Sequence, residues 1–179
     1  MITTKRLIIR PFHKDDLDDF YEYAKVPGVG EMAGWPHHKD KKESKRILKL
    51  FLEDDFVFAI VLRKTQKVIG SIGLHNKPFD EYDAHYKQKE LGYVLSKTYW
   101  GQGLMSEAAE ALIAYAFETW HLDRITCAHF TFNQGSKRII EKMGFSYVRD
   151  DKYYSKSLDK TFDEKKYVLY HPKFNADPR

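Results

Sequence analysis

The chain has 179 residues, of which 42% are hydrophobic and 31% charged, and its formal net charge is +4. This length suits one domain with a sizeable core, and the 15% aromatic content argues against a disordered chain. The lone cysteine, Cys127, excludes an intramolecular disulfide and a cysteine-based metal site, and the small positive charge does not by itself indicate nucleic-acid binding.

The first half of the chain predicts two helices and a strand hairpin. A β-branched run ended by Pro11 predicts a first strand, and Leu17, Phe20, Tyr21 and Ala24 share one helical face. In chain order, the expected elements are a strand at Arg6–Arg10, a helix within His13–Ala24, a glycine- and proline-rich loop at Lys25–His38, a helix within Lys42–Asp54, and hairpin strands at Phe56–Arg63 and Val68–His75.

The second half predicts further strands around a long helix, because the apolar residues of "LMSEAAEALIAYAFE" fall in pairs four residues apart. The expected elements are a loop at Asn76–Tyr86, a strand at Lys87–Ser96, a helix at Leu104–Glu118, a strand at Arg124–Phe130, a helix at Gly135–Gly144, and strands at Phe145–Asp150 and Lys165–Tyr170 that a polar loop separates. This order indicates a single α/β (α+β) domain over residues 1–179, built on one mixed sheet, with 171–179 as a C-terminal tail.

Two glycines, Gly101 and Gly103, stand directly before the long helix, and a helix N-terminus can bind an anion through its free N–H groups. A P-loop needs a Lys-Ser/Thr pair after its last glycine, and none follows Gly103. A dinucleotide-binding motif would place its third glycine at Ser106, and the next strand, "ITCAHFTFN", is not followed by the ribose-binding acid. The glycines alone leave both a plain turn and a phosphate-binding loop open.

Three spaced motifs, "ELGYVL", "YWGQGLMSEA" and "NQGSKRIIEKMGF", together resemble the GNAT family of acyl-CoA-dependent N-acyltransferases, and its Rim-type ribosomal-protein N-terminal acetyltransferases in particular. The resemblance extends from Thr3 to about Tyr170. The general GNAT motif aligns with Trp100, Gly103 and Met105, and this chain departs from the common pattern at Trp100 and Met105. The resemblance implies a mostly antiparallel twisted sheet with a splayed strand pair, and acetyl-CoA as the cosubstrate without a metal.

The resemblance also implies a coenzyme A site made largely of backbone groups. Amides at the start of the long helix would hold the pyrophosphate, because small residues and the helix dipole favour an anion there. Backbone groups of the preceding strand would lie beside the pantetheine arm. The implied cofactor-binding residues are Tyr93, Val94, Leu95, Gln102, Gly103, Leu104, Met105, Ser106 and Asn133.

Acetylation of an amine needs a proton acceptor, because an ammonium ion cannot attack a thioester. Freeing a terminal amine of pKa about 8 at pH 7 costs about 1.4 kcal/mol, against about 4.6 kcal/mol for a lysine. The resemblance implies Glu90 as the general base. It implies Ser136 as the acid for the thiolate, because Ile140 stands where many GNAT enzymes carry a tyrosine. The residues themselves leave open a salt-bridged role for Glu90 and a helix-capping role for Asn133–Ser136.

The acceptor is expected to be a primary amine, either a protein N-terminal α-amine or a small molecule, entering near Lys25–Asp40 and Asp150–Glu164. Glu31 and Trp35 are the candidates for binding it. A non-catalytic coenzyme A-binding module of the same fold is the alternative function. No nucleic-acid or membrane partner is expected. A cytoplasmic location is expected, because the sequence has no apolar run of about 20 residues and no signal-peptide pattern. Self-association as a homodimer stays open.

Overall fold

One eight-stranded sheet organises the protein, and the structure, a computed structural model, describes residues 1–173. The strands, numbered along the chain, are β1 (Ile2–Thr3), β2 (Leu7–Pro11), β3 (Val57–Leu62), β4 (Lys67–His75), β5 (Gln88–Leu95), β6 (Arg124–Phe130), β7 (Ser146–Ser155) and β8 (Lys160–Tyr170). Their order is β1-β2-β3-β4-β5-β6-β8-β7, and every neighbouring pair is antiparallel except β5 with β6. The predicted mixed, mostly antiparallel sheet is confirmed. Residues 174–179 of the predicted tail lie outside the described residues.

Among residues 1–173, four α-helices cover the two faces of the sheet: α1 (Leu17–Ala24), α2 (Lys41–Leu52), α3 (Leu104–Trp120) and α4 (Gln134–Lys142). Successive strand residues point to opposite faces, so Ile60 packs with α3 and α4 while Ala59 packs with α1 and α2. The sequence predicts Tyr21 on the buried face of α1; instead Tyr23 is buried and Tyr21 is half-buried, because the apolar stripe centres on Phe20 and its i+3 neighbour.

Within residues 1–173, no helix combines the length and apolar character needed to cross a membrane.

The polar loop predicted at Asp150–Glu164 is wrong, because β7 and β8 form one long hairpin there. Their pairing extends from Ser146 opposite Val168 to Ser155 opposite Lys160. Much of β7 is exposed to solvent, so its sequence lacks the apolar alternation that would mark a strand. The tip of this hairpin contacts the loop after α1, where the Ser155 hydroxyl donates a hydrogen bond of 2.7 Å to the carbonyl oxygen of Gly34.

The parallel strands β5 and β6 separate part-way along their length. They pair from Gln88 opposite Arg124 to Leu91 opposite Cys127, and the pairing ends there within the described part of the chain. β5 nevertheless continues to Leu95, and β6 to Phe130. The splayed pair implied by the GNAT resemblance is therefore present, and it leaves backbone groups of β5 free to bind a ligand.

Candidate active site

A cavity of about 980 Å³ lies at the splay between β5 and β6. It is bounded by the start of α3, the start of α4 and the loop that follows α1. Most of the site residues proposed from the sequence line it: Trp35, Glu90, Tyr93, Val94, Leu95, Gly103, Leu104, Met105, Ser106, Asn133 and Ser136. Two proposed residues, Glu31 and Gln102, do not line it.

The turn before α3 adopts a backbone that only glycine takes easily. Gly101 has φ of 75° and Gly103 has φ of 72°, both in the left-handed region. Gly103 is the N-cap residue and offers no side-chain cap to the first turn, so the N–H groups beginning at Leu104 are free for a ligand. The Trp100 indole N–H donates a hydrogen bond of 2.7 Å to the Leu95 carbonyl, which fixes this turn to the end of β5.

A carboxylate in the first turn of α3 is directed away from the cavity. Glu107 accepts hydrogen bonds from the Thr4 hydroxyl at 2.6 Å and from the backbone N–H and Nε of Arg6 at 2.8 and 2.7 Å. Burial would raise the pKa of Glu107, but these bonds outweigh it and lower the pKa. Arg6 also donates through Nη1 to the Gln102 carbonyl at 2.9 Å, so a guanidinium lies beside the glycine turn.

The residues proposed on the thiolate side form a small hydrogen-bonded group. Asn133 is the N-cap of α4: its Oδ1 accepts from the Ser136 N–H at 3.0 Å, and its Nδ2 donates to the Met32 carbonyl at 3.2 Å. The Tyr93 hydroxyl lies 2.8 Å from the Ser136 hydroxyl. Burial raises the pKa of Tyr93 far above its usual range, so its phenol stays neutral and can orient the serine.

Glu90 lies on the face of β5 opposite to Tyr93, and its carboxylate forms an ion pair with Lys77. Its Oε1 accepts from Lys77 Nζ at 2.7 Å, while its buried Oε2 has no hydrogen-bond partner among the described residues. Burial favours the neutral form of Lys77, but the charge of Glu90 and this hydrogen bond outweigh it and raise the pKa of Lys77. Both roles considered for Glu90 are thus structurally available: it is salt-bridged, and one oxygen is free for a proton.

Further titratable residues that the sequence did not single out also line the cavity, among them His75, Lys77 and Glu164. Burial lowers the pKa of His75, which favours a neutral imidazole. Glu164 is 4% exposed and lies on β8, inside the segment predicted as a loop. Its signal in the sequence is alternation: the buried face of β8 carries Phe162, Glu164, Lys166 and Val168.

The two acceptor-binding candidates have different environments. Trp35 lines the cavity and packs against His38, with ring centroids 5.2 Å apart. Glu31 instead organises its own loop: its carboxylate accepts from the Gly28 N–H at 2.7 Å and contacts His37 Nδ1 at 2.8 Å. Burial would raise the pKa of Glu31, but the hydrogen bonds from His37 and from the loop backbone outweigh it and lower the pKa to about 2.

Comparison with known proteins identifies the family to which this site belongs. Residues 6–146 match the family model described as an acetyltransferase (GNAT) domain. The chain belongs to the GNAT acetyltransferase family. This GNAT chain is 29% identical over 177 residues to the uncharacterized N-acetyltransferase YnaD of Bacillus subtilis strain 168, covering 97% of this chain and 99% of that one. It is 26% identical over 165 residues to the ribosomal protein uS5-alanine N-acetyltransferase of Escherichia coli strain K12, covering 83% and 81%.

Solved structures share the fold of this GNAT domain. An acetyltransferase of the GNAT family from Bacillus anthracis superposes with a TM-score of 0.82 at 24% identity, covering 95% of this chain and 98% of that one. The microcin C7 self immunity acetyltransferase MccE, solved in complex with acetyl-CoA and AMP, superposes with a TM-score of 0.77 at 15% identity, covering 93% of each chain. Membership of the GNAT family implies acetyl transfer from acetyl-CoA to an amine.

Proposed function

We propose that this GNAT protein transfers the acetyl group of acetyl-CoA to a primary amine by direct attack, with both substrates bound at once. The observation that carries the proposal is the cavity at the splayed strands, which joins a glycine turn and helix start to a buried carboxylate. Acetyl-CoA supplies the activated thioester, and holding the amine beside it supplies much of the rate.

The residues present fit coenzyme A. The left-handed glycines leave the first-turn N–H groups of α3 uncapped, and those groups with the helix dipole suit a pyrophosphate. Beyond Leu91, the backbone of β5 is unpaired with β6, as a pantetheine arm requires. Leu104, Met105, Ser106 and Asn133 border the same cavity, which supports their proposed cofactor contacts.

Two side chains handle protons in this proposal. Glu90 accepts a proton from the amine at Oε2, the oxygen that has no hydrogen-bond partner in the part of the chain that the structure describes. Ser136 donates its hydroxyl proton to the departing sulfur. Successive β5 residues point to opposite faces, so Glu90 lies on the proposed amine side of the strand and Tyr93 on the proposed thiolate side. The acceptor is proposed to be a protein N-terminal α-amine or a small-molecule amine. The alanine substrate in the name of the Escherichia coli relative makes an alanine-initiated peptide a natural first acceptor.

The decisive experiment combines binding with turnover. Millimolar acetyl-CoA should raise the melting temperature, because a ligand that binds only the native state stabilises it. A panel of peptides, amino acids and polyamines should then reveal an acceptor. Glu90→Gln should lower acetyl transfer about 100-fold and keep the acetyl-CoA shift, whereas the exposed control Glu53→Gln should change neither. The absence of a melting shift with acetyl-CoA would contradict the proposed function. A Glu90→Gln variant as active as wild type would contradict the role of Glu90 as proton acceptor.

A non-catalytic coenzyme A-binding module is the second candidate, and the Lys77–Glu90 ion pair favours it. A carboxylate held at 2.7 Å by an ammonium is what a purely structural glutamate shows. This candidate predicts an acetyl-CoA melting shift with no acetylation of any amine in the panel, so the same experiment separates the two functions.

A further inference from the structure

A second buried carboxylate faces the cavity from the far side of the splay. Glu164 lies on β8, opposite Phe130 of β6 and Asp151 of β7. It is only 4% exposed, yet it lines the same cavity as Glu90. Its sequence neighbours Asp163 and Lys165 point to the opposite face of the hairpin. Burying a charged carboxylate is costly, so this position calls for a function beyond stability.

The environment of Glu164 differs from that of Glu90. Glu90 has an ammonium at 2.7 Å, whereas the nearest cation to Glu164 within residues 1–173 is Lys166 Nζ at 3.8 Å, beyond hydrogen-bond distance. Burial, together with the charges of Glu90 and Asp151, outweighs the two lysines and raises the pKa of Glu164. The charged groups that act on Glu164 are Glu90 of β5, Lys77 of the β4–β5 loop, Asp151 of β7 and Lys166 of β8. Tyr153 of β7 lines the same cavity, and Lys77 Nζ lies 5.1 Å from the centre of its ring.

The chemistry of amide formation requires two proton acceptors when the amine arrives as an ammonium. One proton must leave before the nitrogen can attack, and a second must leave as the amide forms. A single carboxylate holds one proton at a time. The cavity offers two carboxylates, Glu90 and Glu164. The positive charge of Lys77 acts on both and offsets part of the repulsion between them.

We propose, resting on the proposed function, that Glu164 takes the first proton, from the acceptor ammonium, and that Glu90 takes the second. The freed electron pair of the nitrogen forms the bond to the acyl carbon. The carbon–sulfur bond breaks with its electron pair staying on sulfur, and the thiolate takes the hydroxyl proton of Ser136. Glu90 returns its proton to Ser136 through solvent, and Glu164 releases its proton to solvent. One proton is released per turnover, as the conversion of an ammonium and a thioester into an amide and a thiol requires.

The test compares Glu164→Gln and Glu90→Gln across pH with an alanine-initiated peptide, measuring kcat/KM for acetylation. At pH 7, Glu90→Gln should be slower than wild type by about 100-fold. Glu164→Gln should be slower by about 10-fold, because only about a tenth of an α-amine of pKa about 8 is neutral at this pH. At pH 9.5, an α-amine of pKa about 8 is already neutral, so the first proton acceptor is unnecessary. The Glu164→Gln deficit should therefore shrink to about 2-fold at pH 9.5, whereas the Glu90→Gln deficit should persist. In the wild type and in Glu164→Gln, the pairing with Glu90 raises the pKa of Lys77, so Lys77 stays cationic over this range.

The control is Asp163→Asn, which makes the same charge change one residue away on an exposed side chain. It should leave kcat/KM unchanged at both pH values. Glu164→Asp, which keeps a carboxylate, should be faster than Glu164→Gln at pH 7, and the acetyl-CoA melting shift of each variant reports whether it is folded. A Glu164→Gln deficit independent of pH, or no deficit at all, would overturn this role while leaving the proposed function intact. A wild type that binds acetyl-CoA but acetylates no amine overturns both.

Discussion

The hydroxyl of Tyr93 lies 2.8 Å from the hydroxyl of Ser136, which joins β5 to the first turn of α4 across the cavity. Many GNAT enzymes carry a tyrosine at the position of Ile140, on the same helix, and Ile140 here is buried in the core. The phenol of Tyr93 therefore reaches the start of α4, but it extends from β5 and not from α4 itself. Because its pKa is raised by burial, Tyr93 is suited to orienting Ser136 and poorly suited to losing a proton itself.

Ser136→Ala should lower kcat by about 100-fold, since it removes the proposed donor to the sulfur. Tyr93→Phe should lower kcat by about 10-fold, because the serine hydroxyl loses its orienting partner. The double variant should be no slower than Ser136→Ala, because Tyr93 acts through Ser136. The Tyr93→Phe effect should be the same from pH 6 to 9, since the phenol stays neutral. Steady-state kinetics check each point, with the exposed Tyr82→Phe as control. Additive losses in the double variant would show that the two hydroxyls act independently.

Gly103→Ala should weaken acetyl-CoA binding about 10-fold. An alanine at φ of 72° costs about 1 kcal/mol, and relief of that strain would rotate the first N–H groups of α3 away from the ligand. Gly28→Ala is the matched control, because Gly28 has φ of 90° and open space around it. Both variants should lower the melting temperature in the absence of ligand, whereas only Gly103→Ala should show a smaller acetyl-CoA shift than wild type. Equal shifts in the two variants would remove this turn from the cofactor site.

Glu31→Gln should reduce stability near neutral pH by about 1 kcal/mol, a value that allows for solvent screening of a partly exposed carboxylate. The folded pKa of Glu31, about 2, lies below the unfolded value near 4.5, so its ionised form stabilises the fold above that unfolded value. This contribution falls as the pH drops from about 4.5 toward 2. Denaturant titrations of wild type and variant should differ most above pH 5 and converge toward pH 2. A difference that grows on acidification would contradict the loop-organising role.

Local sequence patterns were sufficient to predict most of the sheet. The apolar run Arg124–Phe130 coincides with β6, and the paired apolar residues after Gly103 coincide with α3, because both elements are buried and their periodicity is complete. Only the inner part of the β7–β8 hairpin is predicted, as strands at Phe145–Asp150 and Lys165–Tyr170, because its outer part is rich in charged residues and most of β7 is exposed. β1 was missed because a two-residue strand carries no period.

The candidate site was predictable only where its residues lie within contiguous motifs. Tyr93, Gly103 and Asn133 stand in such motifs, and all line the cavity. Lys77 and Glu164 reach it through long-range pairing. The register of His75 opposite Glu90 brings the β4–β5 loop over the site, and the register of Phe130 opposite Glu164 brings β8 beside it. No local spacing in the sequence encodes either relationship.

Cys127 should be inert in the native protein, although it lies at the last position of β6 that pairs with β5. It is 1% exposed, and its thiol donates to the Leu91 carbonyl at 3.4 Å. Burial, reinforced by the charge of Glu90, raises the pKa of this thiol, so the reactive thiolate is scarce at pH 8. A thiol-specific chromogenic reagent should label no cysteine in the folded protein and one per chain in denaturant. Cys127→Ala should keep kcat within about 2-fold while costing about 1 kcal/mol of stability. Rapid labelling of the folded protein, or loss of turnover in a folded Cys127→Ala variant, would give the thiol a role in acetyl transfer.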